Sequence, residues 1–263
     1  MQHYCEIPTP KGTMRGFFHK PDLDRHPVCI IFHGFTGQKT GTKFCYVQLA
    51  RMLEAKGIAT FRFDFLGSGE SDLNFKDMTF KDELACARVI LEEALKMENC
   101  TEIYVLGHSM GGAVASELAK LYPQVISKLV LWAPAFNLPA ALDYLTGKVE
   151  PSSNGLYDHG GYEISQTFVD DILARDFYAD LDTYKNELLV IHGTNDTTVP
   201  FDISKIYVPK FNQQLKFVPI EGANHNYDTV EHIKEVLKFI DENYSEIITL
   251  KDAALVLNLS PCY

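Results

Sequence analysis

The sequence lacks the features that mark nucleic-acid-binding, membrane-spanning and metal-binding proteins. Basic residues number 24 against 35 acidic ones, so the formal net charge is −11, and such a surface repels nucleic-acid phosphates and anionic membranes. No apolar run approaches the roughly 20 residues that span a bilayer. The six cysteines are scattered, with no Cys-x-x-Cys pair and no histidines at metal-ligand spacing. We therefore expect no metal, no nucleic-acid partner and no membrane partner.

The first ten residues also lack the basic and apolar regions of a secretory signal peptide. Scattered cysteines without a disulfide pattern are typical of thiols in a reducing compartment. Both features predict a cytoplasmic protein. Hydrophobic residues make up 46% and charged residues 22% of the 263-residue chain, which is ordinary for a globular domain. The net negative charge further disfavours strongly anionic substrates such as acyl-CoA.

Predicted strands and helices alternate along most of the chain. After an N-terminal hairpin that turns at Gly12, apolar runs and helical spacing predict the elements that follow. Strands are predicted at 28–32, 58–63, 102–106, 128–132, 187–191 and 216–219, and helices at 42–56, 79–97, 109–121, 202–208 and 229–243. This alternation predicts an α/β fold with a mostly parallel central sheet flanked by helices.

One stretch, residues 135–180, breaks the alternation. It is rich in Tyr, Gly, Pro and Asp and is interpreted as an insertion that folds over the carboxyl edge of the sheet. The predicted organisation is an α/β core formed by residues 1–134 and 181–263, with residues 135–180 as an inserted cap subdomain. The tail at 245–263 matches no further element of the pattern.

The strongest chemical signal is the Gly-His-Ser-Met-Gly run at residues 107–111. It matches Gly-x-Ser-x-Gly and lies between a predicted strand and a predicted helix, which is the context that a nucleophile elbow requires. The turn is so sharp that the nucleophile adopts strained backbone angles, and glycines two residues away avoid a clash. Ser109 is therefore the predicted nucleophile, at a helix N-terminus that favours developing negative charge.

A serine nucleophile needs a base, and the base needs a carboxylate to orient it. In this fold the chain order is serine, acid, histidine. Asp196 follows one predicted strand and His225 follows the last one, so we predict a Ser109–His225–Asp196 triad, with Asp202 and Asp182 as fallback acids. For His108 we expect a side chain that points away from the active face.

Two backbone N–H groups should stabilise the oxyanion. One comes from Met110, the residue after the nucleophile, and the other from the loop after the first core strand, where Phe35 is the candidate. In that loop His33 is expected to support the site. Residues 64–71 contain Gly-x-Gly but not the dinucleotide-binding pattern, and are interpreted as a structural loop beside the site.

These motifs, taken in order, resemble those of the bacterial feruloyl (cinnamoyl) esterases of the α/β-hydrolase superfamily. The matching segments are residues 33–37, 62–71, 107–112, 192–196 and 221–225. The likeness spans about residues 25–243, and residues 107–112 are also similar to monoacylglycerol lipases.

The resemblance implies the same triad and the same two oxyanion donors. It also implies that the insertion binds the hydroxycinnamoyl ring. In these esterases a tyrosine and an aspartate of the insertion contact the phenolic group, and Tyr162 and Asp143 are the candidates here. Tyr144, Tyr157 and Phe168 add aromatic character to the insertion, although a lid for long acyl chains would be aromatic too.

The predicted function is hydrolysis of hydroxycinnamate esters through an acyl-enzyme on Ser109, with a small-molecule ester as partner and without a cofactor. The alternative is a carboxylesterase or monoacylglycerol lipase that acts on short aliphatic or glycerol esters. The same triad also fits an amidase, a thioesterase or a carbon–carbon hydrolase. A non-catalytic binding protein on this scaffold is the remote alternative, and a homodimer is left open.

Overall fold

One sheet of eight strands forms the centre of the part of the chain that the structure describes. The structure, a computed structural model, describes residues 2–211 and 214–245. The strands of the sheet are β1 (Gln2–Thr9), β2 (Gly12–His19), β3 (His26–Phe32), β4 (Ala59–Phe63), β5 (Cys100–His108), β6 (Ile126–Trp132), β9 (Glu187–Gly193) and β10 (Leu215–Ile220). Their spatial order is β1-β2-β4-β3-β5-β6-β9-β10.

The strands from β4 to β10 run parallel, and β2 pairs antiparallel with both β1 and β4. Helices cover both faces of this sheet. They are α1 (Cys45–Ala55), α2 (Phe80–Leu95), α3 (Met110–Leu121), α4 (Leu138–Thr146), α5 (Gln166–Leu173), α6 (Ser204–Tyr207) and α7 (Val230–Ser245). The predicted fold class, a mostly parallel α/β-hydrolase sheet, is thereby confirmed.

Strand β3 shows why the core strands read as continuous apolar runs. Alternate side chains of a strand point to opposite faces. Val28 and Ile30 pack in the apolar cluster that contains α2 and α3, while Cys29 and Ile31 pack in the cluster that contains α1 and α7. Because both faces of the strand are buried, neither set of positions is left for polar residues.

The predicted helix at 42–56 is wrong in its first turn. Residues 42–44 form a short 3₁₀ turn in which Lys43 has φ 51° and Phe44 has φ 59°, and α1 begins at Cys45. Phe44 lies within the predicted helix but is 66% exposed. Apolar spacing reports which face a residue would take in a helix, and carries no information about a left-handed backbone that interrupts it.

The stretch at 135–180 folds into α4, a two-stranded hairpin and α5. The hairpin strands are β7 (Leu156–His159) and β8 (Tyr162–Ser165), joined by Gly160 and Gly161, which have φ of 60° and 90°. Buried side chains of this stretch, such as Phe168, belong to the same apolar cluster as the sheet. The division into core and cap at residues 134 and 181 remains a prediction.

Two further observations concern the described residues 2–211 and 214–245. None of their helices combines the length and the apolar character needed to cross a membrane, and they contain no cluster of three or more His, Cys, Asp or Glu side chains that could hold a metal ion. The tail singled out in the sequence lies, from residue 246 onward, outside the described residues.

The first turn of α2 contains a buried carboxyl group. The side chain of Thr79 caps this helix as predicted, accepting a hydrogen bond from the Asp82 N–H at 3.1 Å. In the first turn Glu83 is 2% exposed, and its Oε2 has no hydrogen-bond partner within the described chain. Burial raises the pKa of Glu83 well above its usual value, so the folded protein holds this side chain in its neutral form.

The substitution Glu83→Gln is expected to stabilise the protein in a pH-dependent way. The folded carboxyl keeps its proton where the unfolded one loses it, so the free energy of unfolding falls as pH rises above about 4.3. Glutamine does not ionise, so the Tm of the variant should match the parent at pH 4 and exceed it at pH 8, by about 2–4 °C per kcal/mol. Thermal unfolding at both pH values measures this.

Glu92→Gln, at an exposed position of the same helix, is the matched control and should shift Tm equally at both pH values. A Glu83→Gln variant with no pH-dependent gain would contradict the account of a neutral, buried Glu83.

Candidate active site

Ser109 occupies a strained turn between β5 and α3. Its backbone has φ 57° and ψ −123°, a region that non-glycine residues adopt only where the surroundings enforce it. The Ser109 N–H donates to the Trp132 carbonyl at 2.9 Å, and the Ser109 carbonyl accepts from the Ala135 N–H at 3.0 Å. These two bonds tie the turn to β6 and the segment after it.

Close backbone contacts explain the glycines around this turn. A Cβ on Gly107 would lie 2.1 Å from the Gly111 carbonyl oxygen. A Cβ on Gly111 would lie 2.4 Å from the carbonyl oxygens of Phe32 and His33, and one on Gly34 would lie 2.8 Å from the Ser109 Cβ. Backbone atoms cannot move aside as a flexible side chain can, so the loop after β3 reaches Ser109 only because these positions have no side chain.

Three side chains from three loops form a hydrogen-bonded row. The Ser109 Oγ is 2.9 Å from Nε2 of His225, and Nδ1 of His225 is 2.7 Å from Oδ2 of Asp196. Asp196 follows β9 and His225 follows β10, and these strands are paired in parallel. The Asn195 N–H also donates to the Ala223 carbonyl at 2.9 Å, which holds the two loops in register. The structure therefore brings all three predicted residues together.

Asp196 is 4% exposed, yet its surroundings favour the carboxylate. Its Oδ1 accepts hydrogen bonds from the N–H groups of Thr198 and Val199 at 2.9 and 2.8 Å. Burial alone would raise the pKa of Asp196, but the hydrogen bonds from His192 and His225 outweigh burial and hold the pKa well below its usual range. An ionised Asp196 accepts the Nδ1–H of His225 and leaves Nε2 to accept the serine proton.

The two predicted oxyanion donors flank Ser109. Met110 is the first residue of α3, where backbone N–H groups have no partner within the helix. Phe35 follows Gly34, where an added Cβ would lie 2.8 Å from the Ser109 Cβ, in a turn closed by the Gly37 N–H and the Gly34 carbonyl at 3.0 Å. This placement suits the predicted role, which remains a prediction.

His33 fastens the start of the loop that carries Phe35. The His33 Nδ1–H donates to the Gly34 carbonyl at 2.9 Å, and its Nε2 accepts from the Phe65 N–H at 3.1 Å. Burial lowers the pKa of His33, so the ring stays neutral and can both donate and accept. The expectation that His33 supports the site matches this geometry.

Charged side chains around the buried Asp64 hold the end of the loop that carries Phe35, and no sequence motif indicated them. The Lys39 Nζ is 2.5 Å from Asp64 Oδ2 and 2.7 Å from Glu70 Oε2. The Lys39 and Glu70 N–H groups also donate to Asp64, at 2.6 and 2.8 Å. Residues 64–71 therefore lie beside the loop of Phe35 and support it, in line with their interpretation as a structural loop.

Aromatic side chains of the insertion pack against the Phe35 side chain. The Phe35 ring packs on Phe168 at 5.3 Å, on Phe75 at 5.2 Å and on His159 at 5.7 Å between centroids. Tyr162 packs on Phe75 at 4.7 Å. We call these five residues the aromatic cluster. Sequence reasoning missed the part that Phe75 plays, because it lies in a 3₁₀ turn outside the matched motifs.

Of the two proposed phenol contacts, Tyr162 belongs to the aromatic cluster and is 41% exposed. Its hydroxyl also lies 3.5 Å from the Thr36 carbonyl, in the loop that carries Phe35. Asp143 is an exposed residue of α4. The roles of both residues in binding remain predictions.

Comparison with known proteins agrees with this geometry. The family model described as serine aminopeptidase, S33 (Hydrolase_4) matches residues 24–157. A Mycoplasma pneumoniae protein that carries the name esterase/lipase 2 is 26% identical over 241 residues, covering 80% of this chain and 86% of its own. Human monoglyceride lipase is 33% identical over 136 residues, covering 50% of this chain and 39% of its own.

Among solved structures, Est1E from Butyrivibrio proteoclasticus with ferulic acid bound is similar over almost the whole chain. The TM-score is 0.85 at 27% sequence identity, and the match covers 93% of this chain and 99% of that one. At this identity and coverage the likeness concerns the amino-acid sequence as well as the topology of the sheet.

The pair of substitutions Asp196→Asn and Asp202→Asn tests which acid supports the base. Asparagine cannot hold the His225 tautomer, so Asp196→Asn should lower kcat about 10⁴-fold. Asp202→Asn should leave kcat unchanged, because the Asp202 side chain is 80% exposed and pairs with Lys205. The measurement is kcat and KM for p-nitrophenyl butyrate, with Tm as a check on folding. A larger loss at Asp202 would contradict the assignment.

Proposed function

This chain belongs to the Hydrolase_4 (serine aminopeptidase, S33) family of α/β-hydrolases, and from that premise we propose that it cleaves hydroxycinnamate esters with Ser109 as nucleophile. At the coarser level it is a serine hydrolase of the esterase and lipase type. The observation that carries the proposed mechanism is the hydrogen-bonded row of Ser109, His225 and Asp196, at 2.9 and 2.7 Å.

The proposed reaction has two acyl-transfer steps. Ser109 Oγ attacks the ester carbonyl while His225 Nε2 takes its proton, and the oxyanion accepts hydrogen bonds from the N–H groups of Phe35 and Met110. When the C–O bond breaks, the imidazolium of His225 protonates the leaving alcohol. Water then repeats the sequence on the acyl-enzyme, which releases the acid and restores Ser109. Asp196 stays ionised throughout and stabilises the imidazolium.

The choice of hydroxycinnamate esters is supported by two independent observations. The aromatic cluster includes Phe35, the proposed oxyanion donor, and flat aromatic side chains suit a planar conjugated acyl group. The 27% identical Est1E structure contains ferulic acid, a hydroxycinnamate. A neutral methyl or sugar ester also fits a chain with a net charge of −11 better than an anionic acyl donor does.

A second candidate is hydrolysis of monoacylglycerols. The similarity to human monoglyceride lipase, 33% identical over 136 residues, favours it, and the aromatic cluster could also pack against an acyl chain. The two candidates share the proposed chemistry at Ser109 and differ in the acyl group that the insertion accepts and in the leaving alcohol.

A panel of esters separates the candidates. Methyl ferulate, methyl caffeate and chlorogenate should exceed methyl butyrate and a monoacylglycerol in kcat/KM by more than about tenfold, which equals about 1.4 kcal/mol of transition-state preference. Methyl ferulate and methyl butyrate share the same leaving alcohol, so their ratio reports the acyl group alone. A tenfold advantage for the aliphatic or glycerol esters would contradict the proposed substrate class.

The substitution Tyr162→Phe tests the proposed contact with the phenolic hydroxyl. Loss of one hydrogen bond should lower kcat/KM for methyl ferulate by about threefold to tenfold. Methyl cinnamate, which has no phenolic hydroxyl, should be hydrolysed as before. Tyr144→Phe, at a 71% exposed tyrosine of α4, is the matched control. An equal loss for both substrates would contradict a specific contact with the phenol.

A further inference from the structure

A second histidine lies directly behind the proposed base. His108, the last residue of β5, has its ring centroid 5.2 Å from that of His225, with 27° between the ring planes. Its Nε2 is 3.3 Å from the backbone carbonyl oxygen of His225. Sequence reasoning expected this side chain only to point away from the active face. The structure instead shows a link between the residue before the nucleophile and the main chain of the base.

The hydrogen bonds of His108 define its tautomer. A carbonyl oxygen only accepts, so Nε2 of His108 carries a proton. Burial, with a smaller contribution from His225, lowers the pKa of His108 to about 3, so the ring is neutral and Nδ1 has no proton. Nδ1 is 3.1 Å from the Tyr46 hydroxyl. Tyr46 therefore donates to His108, and His108 donates to the carbonyl of His225.

Tyr46 is a dependable donor in this chain. It lies in α1, is 2% exposed, and burial raises its pKa well above the usual value, so the hydroxyl keeps its proton. The Trp132 ring packs at 4.9 Å from His108 and at 6.3 Å from Tyr46. Both ends of the Tyr46–His108 pair are thus held by the core.

The loop that carries His225 is held on either side of the base, at Ala223 by the Asn195 N–H and at Tyr227 by packing on Trp132, and the bond from His108 reaches the main chain of His225 itself. Between β10 and α7 the chain forms turns without regular structure, and Tyr227 in this loop has φ 51°. A misplacement of about 1 Å at a reacting group can cost about 10²-fold in rate. A hydrogen bond from the residue adjacent to Ser109 fixes the base relative to the nucleophile itself.

We propose that His108 is a positioning residue, whose Nε2–H bond to the His225 carbonyl, with Tyr46 behind it, sets the distance between the base and Ser109. The inference rests on the proposed role of His225 as the base, and not on the choice of ester. A neutral His108 also avoids placing a second positive charge beside the imidazolium that forms on His225 during the reaction.

Glutamine and methionine at position 108 separate hydrogen bonding from packing. The side-chain amide nitrogen of His108→Gln can take the place of Nε2 and donate to the carbonyl, whereas His108→Met fills similar space without a donor. With p-nitrophenyl butyrate, His108→Met should lower kcat about 10- to 100-fold with KM changed less than about twofold. His108→Gln should keep kcat within about threefold of the parent.

A double-mutant cycle with Tyr46→Phe gives a second, independent measurement. Without the hydroxyl, Nδ1 of His108 loses its donor and only the His225 carbonyl still favours the proton on Nε2, so Tyr46→Phe should lower kcat several-fold at unchanged KM. In the His108→Met background the same change should have no further effect on kcat, because the pair acts through one hydrogen bond. If His108→Met fails to fold, as judged by Tm, the single Tyr46→Phe variant still decides.

Two results would overturn the proposal. One is a His108→Met or Tyr46→Phe variant with kcat within about twofold of the parent. The other is an equal loss in His108→Gln and His108→Met, which would assign the effect to packing. His225→Ala, measured in parallel, separates the proposed triad from the proposed role of His108. An active His225→Ala variant would contradict the triad. An inactive His225→Ala variant beside an unaffected His108→Met variant would contradict only the positioning role.

Discussion

The strained backbone of Ser109 is the constraint on which the rest of the site depends. Its φ of 57° turns the chain from β5 into α3 within one residue, which projects the side chain from the carboxyl edge of the sheet. The turn persists because neighbouring backbone bonds over-determine it, and it has room only because Gly107 and Gly111 lack side chains. Strain in one residue is thus supported by the packing of three strands and a helix.

Hydrogen bonds from backbone N–H groups stabilise the buried carboxylates at the site. Asp196 and Asp64 are both buried, and each accepts two backbone N–H bonds besides the bond from its side-chain partner. Burial of an ionised carboxylate is costly unless such partners are present. Asp196 contacts the proposed base, His225, and Asp64 holds the loop of Phe35 through Lys39. The loop of Asp196 and the loop of Asp64 are therefore stabilised in the same way, by backbone N–H groups that donate to a buried carboxylate.

The sequence predicted features that local motifs encode, and missed contacts between residues far apart in the chain. Ser109, Asp196 and His225 could be predicted because each follows a recognisable strand, and parallel strands end at one edge of a sheet. The hydrogen bond between His108 and the carbonyl of His225 joins residues 117 positions apart, and no local pattern encodes it. The left-handed Lys43 and Phe44 were missed because periodicity does not report φ.

Covalent labelling of Ser109 tests the central claim, that this serine is an activated nucleophile, most directly. The full-length protein would be incubated with a fluorophosphonate probe and mapped by peptide mass spectrometry, with Ser109→Ala alongside. The account predicts one modified residue, Ser109, and no labelling of the variant, because the reaction needs a serine deprotonated by His225 and an oxyanion site beside it. A probe bound to another residue, or equal labelling of Ser109→Ala, would contradict it.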